Sequence, residues 1–192
     1  MSLTSLIFLC LVLPLTLAAY YGVRIIGDEG VVAKSLAKGI LLAVSMFTYY
    51  WVAAEYLPLL IVAVLATYAF ALVIDATQGM AKKFVLAIAV IASVAFLVYY
   101  KYTDYFLETL QRFVPSVQYE PLNLIQPLGI SFLVFSLISY FMDVYRGTIK
   151  ADRNLLNVAL WAFFFAKIVS GPIVRYGQMF RSDEDCPARP CL

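Results

Sequence analysis

Lys167, Ser170-Gly171-Pro172 and Arg175-Tyr176 stand together at the end of a run, Leu155 to Val169, whose one charged side chain is Lys167. Those fifteen residues would rise about 22 Å as a helix, short of the roughly 30 Å hydrocarbon layer of a membrane. A Gly-Pro break followed by Arg175 then falls inside that layer or at its edge. Interrupted backbone at such depth survives where protein buries it or where it lines a wet cavity. A buried cation in the same place is a functional-site hypothesis by default. The plainer alternative is a helix that ends at the interface, with Arg175 reaching out to water. On residue types alone both readings stay open.

A second set of polar residues lies on the segment 126–145. Gly129, Ser136, Ser139, Asp143 and Arg146 follow one another at spacings of seven, three, four and three, which places them on one face of a helix. Lipid would leave such groups unpaired, so this stripe must face neighbouring helices or a cavity. It fits a helix–helix seam or the lining of a substrate path. Asp143 and Arg146 are close enough along the helix for an ion pair. The chain contains no histidine; histidine acid–base catalysis, nucleophile activation and metal ligation are therefore absent from it. Cys10 sits in an apolar run and reads as a packing residue. Cys186 and Cys191 flank Pro-Ala-Arg-Pro with no further ligands beside them, so no metal site is expected.

The elements that must position these residues are hydrophobic. Of 192 residues 64% are apolar and 14% charged, and the mean hydropathy is +0.88. A soluble domain would be about one quarter charged. The apolar runs are unbroken rather than alternating, against a β-barrel. The expected fold class is all-α: a polytopic transmembrane helical bundle of about five to six membrane segments, the last broken or re-entrant. The net charge of +2 comes with no basic tract, and nucleic acid is not an expected partner.

Leu3 to Tyr21 is long enough to span, and no Lys or Arg precedes it; it reads as an uncleaved spanning helix rather than a signal peptide. Gly39 to Ile74 carries one charge, Glu55, in 36 residues. As a single helix it would be about 54 Å long, so it reads as a hairpin with arms at 39–54 and 56–74. Phe84 to Tyr100, fenced by Lys82, Lys83 and Lys101, is the next span, and 126–145 follows, with Gly147 as its helix C-cap. Given the hairpin and an external N-terminus, eight basic residues (Arg24, Lys34, Lys38, Lys82, Lys83, Arg146, Lys150, Arg153) fall in inner loops and two, Lys101 and Arg112, outside. A single crossing at 39–74 would divide the same residues evenly, so the positive-inside bias selects the hairpin. Segment 101–114 sets Tyr102, Tyr105, Phe106, Leu110 and Phe113 against Lys101, Asp104, Glu108 and Gln111, as expected of a helix lying in the interface or of a solvated loop helix. Residues 181–192, with three successive acids and two prolines, read as a disordered or aberrant tail.

Pro127-Leu128-Gly129-Ile130-Ser131-Phe132, then Ser139-Tyr140 and Asp143-Val144-Tyr145-Arg146-Gly147, resemble membrane-bound O-acyltransferases (the MBOAT superfamily). So do Arg153-Asn154-Leu155, Phe163-Phe164-Phe165 and Ser170-Gly171-Pro172-Ile173-Val174-Arg175-Tyr176. The branch is similar to alginate O-acetyltransferases. Lys101-Tyr102, Tyr49-Tyr50-Trp51 and Glu55-Tyr56-Leu57 add to the match, which runs over about residues 3–180. By this resemblance residues 1–180 form the N-terminal part of an acyltransferase transmembrane domain.

The resemblance implies acetyl transfer to hydroxyls of an extracytoplasmic, alginate-like polysaccharide by a multi-pass protein of the inner (plasma) membrane, with its N-terminus outside. It implies an acyl donor such as acetyl-CoA rather than a bound cofactor. The implied partners are the lipid bilayer, the polysaccharide acceptor and periplasmic acetylation proteins. Asp143, Arg146, Gly171, Pro172, Arg175 and Tyr176 become candidates for the substrate path or its support. The family's catalytic histidine has no counterpart here, so no catalytic residue is assigned. Ala166-Lys167 stands where the family usually has proline after the aromatic pair, and Lys167 acquires no role. The expectation is an N-terminal fragment, inactive alone. One subunit of a split enzyme, or half of a transporter or channel, are the alternatives.

Overall fold

The computed structural model describes residues 10, 12–26, 31–113, 129–164 and 174–180. These form seven α-helices and no strand: α1 (Leu13–Ile26), α2 (Val31–Ala53), α3 (Leu57–Ala76), α4 (Gly79–Phe113), α5 (Ile130–Tyr145), α6 (Leu155–Phe163) and α7 (Tyr176–Met179), with a 3₁₀ turn, Ala54–Tyr56, between α2 and α3.

The turn lies at Glu55, where the hairpin was expected. Pro58 falls in the first turn of α3, where its missing N–H costs no hydrogen bond. Both arms return to one place. Lys38 Nζ on α2 donates to Asn157 Oδ1 at 2.9 Å, and the Tyr68 hydroxyl on α3 donates to the Arg153 carbonyl at 2.8 Å. The first arm starts earlier than the charge pattern implied, at Val31.

Cross-helix contacts fix the rest of the topology. Thr77 and Gln78 link α3 to α4, with Gly79 at φ 62° allowing the reversal. At the far end the Tyr56 and Tyr100 rings meet edge to face, 6.4 Å apart. Lys82 lies over the Tyr145 ring at 5.6 Å, while Lys101 Nζ donates to Ser131 Oγ at 2.9 Å. Helices α3, α4 and α5 are thus successively antiparallel. One end of the bundle gathers Glu55, Tyr100 and Ser131; the other gathers Lys38, Lys82, Tyr145 and Arg153.

On α3 the buried residues Leu60, Val64, Thr67, Ala71 and Ile74 repeat every three to four positions, the period of a single helical stripe. They meet Leu137, Phe141 and Val144 of α5 and Val158, Trp161 and Ala162 of α6 in one core cluster. Thr67, Ser45 and Thr48 bond carbonyls one turn back, so their hydroxyls are satisfied within the helix. In contrast, α4 buries only Ala89 among its hydrophobic residues and exposes Phe84, Ile88, Ile91, Val94 and Val98.

Two helical stretches are long and apolar enough to cross a membrane: Ala54–Ala76, mean hydropathy 2.6, and Gly79–Leu110, mean hydropathy 2.2. Of the expected five to six membrane segments, these two are clearly membrane-capable among the described residues. The described parts of α1, α5 and α6 are 14, 16 and 9 residues long, below the ~20 a full crossing needs. The expected separate helix at 101–114 is also not a separate element. α4 runs unbroken for 35 residues, because nothing from Phe84 to Phe113 is Gly or Pro. Its length of about 52 Å exceeds the layer, so its aromatic, amphipathic turns continue the spanning helix. Helix α6 ends at Phe163 instead of extending to Val169. Cys10 is exposed rather than packed. The expected disordered tail at 181–192, with Cys186 and Cys191, lies outside the described residues, as do Lys167, Gly171 and Pro172.

Candidate functional site: a basic cavity closed by a returning chain

The end that gathers Lys38, Lys82 and Arg153 also holds the most connected polar cluster among the described residues. Helix α5 ends there at Tyr145 with Arg146 as its C-cap; Gly147, expected as the cap, follows it, and its φ of 73° turns the chain, with Thr148 N bonding the Asp143 carbonyl at 3.0 Å. The loop 148–154 then delivers Asp152. Its Oδ1 accepts from Asn154 N at 2.7 Å; Asn154 in turn caps α6 by accepting from Leu156 N at 3.0 Å.

Asp152 Oδ2 carries two further bonds. It accepts from Asn157 Nδ2 at 2.7 Å and from the Tyr176 hydroxyl, while Asp152 N donates to the Tyr140 hydroxyl at 3.2 Å. Asp152 therefore ties α6 and α7 together through its carboxylate and α5 through its backbone N–H, and through Asn157 and Lys38 it reaches α2. Helix α6 leaves this end at Leu155, and the chain is back beside Asp152 by Tyr176. Trp161 Nε1 donates to the Val174 carbonyl at 3.0 Å, a second tie between α6 and the residues that lead into α7.

Aromatic rings fill the space behind the cluster. Tyr140, Trp161 and Tyr176 are buried, with ring centroids 4.8 Å (Tyr140–Tyr176) and 5.6 Å (Tyr140–Trp161) apart. Phe180 lies 5.0 Å from Tyr176 and beneath Lys38 Nζ at 5.1 Å. At Gly177 a Cβ would stand 3.2 Å from Ile149 Cγ2, so a side chain there would require Ile149 to give by a few tenths of an ångström.

In front is a cavity of about 810 Å³ whose lining includes Asp143, Lys150, Asp152, Arg153, Arg175 and Tyr176. Of the residues singled out in the sequence, Asp143, Arg175 and Tyr176 are brought together here. Arg146 is exposed and does not line the cavity. The side chains of Asp143 and Arg146 form no salt bridge among the described residues: Asp143 is 8% exposed and turned to the cavity, while Arg146, at the helix end, points to solvent. Of the polar stripe, Ser136 and Asp143 are buried and Ser139 is half-buried. Gly129 takes φ 71° at the start of α5, a turn position rather than part of a seam. Asp152, Lys150, Arg153, Lys38 and Asn157 were not among the site candidates read from the sequence. Asp152-Arg153-Asn154 ahead of an apolar run is an N-cap signature, and it was the available signal.

Burial pushes the Tyr176 phenol well above its ordinary range, and the Asp152 hydrogen bond and charge add to the shift. Near neutral pH it therefore donates a hydrogen bond and cannot take a proton from a substrate. Asp152 already accepts three bonds. Among the described residues no three His, Cys, Asp or Glu side chains converge as metal ligands would. Tyr176 is thus placed to bind and position rather than to accept a proton.

This geometry gains its context from relatives. The chain is 32% identical over 181 residues to a probable alginate O-acetylase, AlgI, of Azotobacter vinelandii, covering 90% of this chain and 34% of that protein. It is 32% identical over 170 residues to a peptidoglycan O-acetyltransferase of Helicobacter pylori, covering 76% and 32%. A teichoic acid D-alanyltransferase of Bacillus subtilis matches at 34% over 70 residues, 36% of this chain and 18% of that one. The chain spans about a third of the length of the first two relatives. No family model and no solved structure matches. Joined to the helical architecture and the apolar spans, these similarities show that the chain belongs to the family of membrane-bound O-acyltransferases that includes the alginate O-acetylases.

Proposed function

We propose that the chain forms the donor-side part of a multi-pass inner-membrane enzyme that transfers acetyl groups to hydroxyls of an extracytoplasmic, alginate-like polysaccharide. The observation that carries this reading is the cavity at the basic end, closed by a chain that enters and returns there, in a member of an acyltransferase family. The basic end faces the cytoplasm by the positive-inside rule. Because α1 runs toward that end, the N-terminus lies outside. A donor such as acetyl-CoA reaches the cavity from the cytoplasm, the acceptor comes from the opposite face, and periplasmic acetylation proteins hand it over.

In the transfer, the acceptor oxygen bonds to the acetyl carbonyl carbon and the thioester C–S bond breaks. The hydroxyl proton goes to a base and the thiolate leaves. This chain has no histidine, and Tyr176 stays protonated. The base therefore comes from residues outside this sequence, and the chain is inactive alone. Arg175 and the Asp152 cluster hold the floor of the chamber. The test is a chimera in which this chain replaces the matching third of the Azotobacter protein in a strain lacking its own copy. O-acetylated alginate in that strain supports the reading. An unacetylated polymer from a stably inserted chimera overturns it.

A further inference from the structure

The cavity's charge makes a more specific statement than its volume. Lys150, Arg153 and Arg175 all line it and are all exposed, and none forms a salt bridge among the described residues. Of the two carboxylates in the same wall, Asp152 is occupied by Asn154, Asn157 and Tyr176, and Asp143 is largely buried. Three cations thus share one cavity with no carboxylate of the described residues in contact with them, beside a phenol that stays protonated near neutral pH. Like charges held together repel unless an anion joins them. Guanidinium groups match phosphate oxygens in planar, bidentate fashion, and lysine adds a point charge.

We propose that Lys150, Arg153 and Arg175 form a binding site for a phosphate or pyrophosphate group. The group is carried either by a soluble phosphorylated ligand entering from the basic end or by an anionic lipid headgroup at the rim. This deepens the donor-side reading of that end and rests on it, but the assay below involves no acyl transfer, so the two fail separately.

The chain is reconstituted in nanodiscs of phosphatidylcholine and titrated calorimetrically with inorganic pyrophosphate. Lys150→Gln/Arg153→Gln/Arg175→Gln weakens binding by about tenfold or more. Lys82→Gln/Lys83→Gln, at the same end but outside the cavity, leaves it within about twofold, as expected of screened charges at a distance. If pyrophosphate does not bind, nanodiscs containing phosphatidylglycerol protect Arg153→Cys from maleimide relative to pure phosphatidylcholine, which assigns the site to headgroups. Arg153→Glu alone, an exposed single change, repeats the comparison should the triple variant not insert. Failure of both pyrophosphate binding and lipid protection overturns the proposal. So does an equal loss from the Lys82/Lys83 pair, which would reduce the effect to general surface charge.

Discussion

The side chain on which most of the basic end turns is Asp152. Removing its carboxylate strands donors on Asn154, Asn157 and Tyr176, and a donor left without a partner costs more than a bond is worth. Asp152→Ala should destabilise the chain by roughly 2–3 kcal/mol, and Tyr176→Phe, which loses one donor and leaves two others bonded, by about 1 kcal/mol. Thermal unfolding in nanodiscs checks the order; equal melting of wild type and Asp152→Ala would dismiss the hub. Arg146→Gln, exposed and outside the cavity, should stay within about 0.5 kcal/mol. Alkaline pH gives a separate test of Tyr176. Its folded-state pKa is raised above the unfolded value of about 10, so its contribution is complete below pH ~10 and is lost as pH rises beyond that. Wild type should lose stability above pH ~10 more steeply than Tyr176→Phe. Parallel curves would mean that the phenol is not buried as described. Asp143, Arg175 and Tyr176 were legible in the sequence because a charge or a break stands out in an apolar run. Asp152 was not, since an aspartate in a polar loop looks like any solvated loop residue until the chain comes back to it.

At the scale of elements, period and length were readable and connectivity less so. The bend at Glu55 was legible because 36 nearly uncharged residues overfill a membrane as one helix. The unbroken α4 was hidden by its own chemistry: polar residues appear after Lys101, yet helix propensity does not change when polarity does. The shortness of α6 was hidden too, since an apolar run records burial and says nothing of where within it the helix stops. The chain's return to Asp152 by Tyr176 predicts accessibility. In a background with Cys10→Ser, Cys186→Ser and Cys191→Ser, single cysteines at Leu155 and Arg175 should react with an impermeant maleimide from the same side. A cysteine at Glu55 should react from the other. Labelling of 155 and 175 from opposite sides would make the segment a full crossing and remove the re-entrant geometry.

For the molecule as a whole, the bundle is polarised, with most of its described basic side chains, its cavity and α7 at one end and the turn at Glu55 at the other. What it lacks is equally definite. A sugar hydroxyl needs a base that titrates near working pH, histidine supplies this most readily, and the chain has none. Its best-placed phenol is driven the wrong way. Reconstituted alone with acetyl donor and alginate, the chain should transfer no acetyl above background at any pH between about 6 and 8. Supplying the remaining two thirds of the Azotobacter relative as a second polypeptide should restore transfer. The restored rate should rise through a pKa of about 6.5, as a histidine base requires. Transfer by the chain alone would show that a carboxylate or phenol of this basic end acts as base after all, and the division of labour between a binding floor and a base supplied from elsewhere would fall with it.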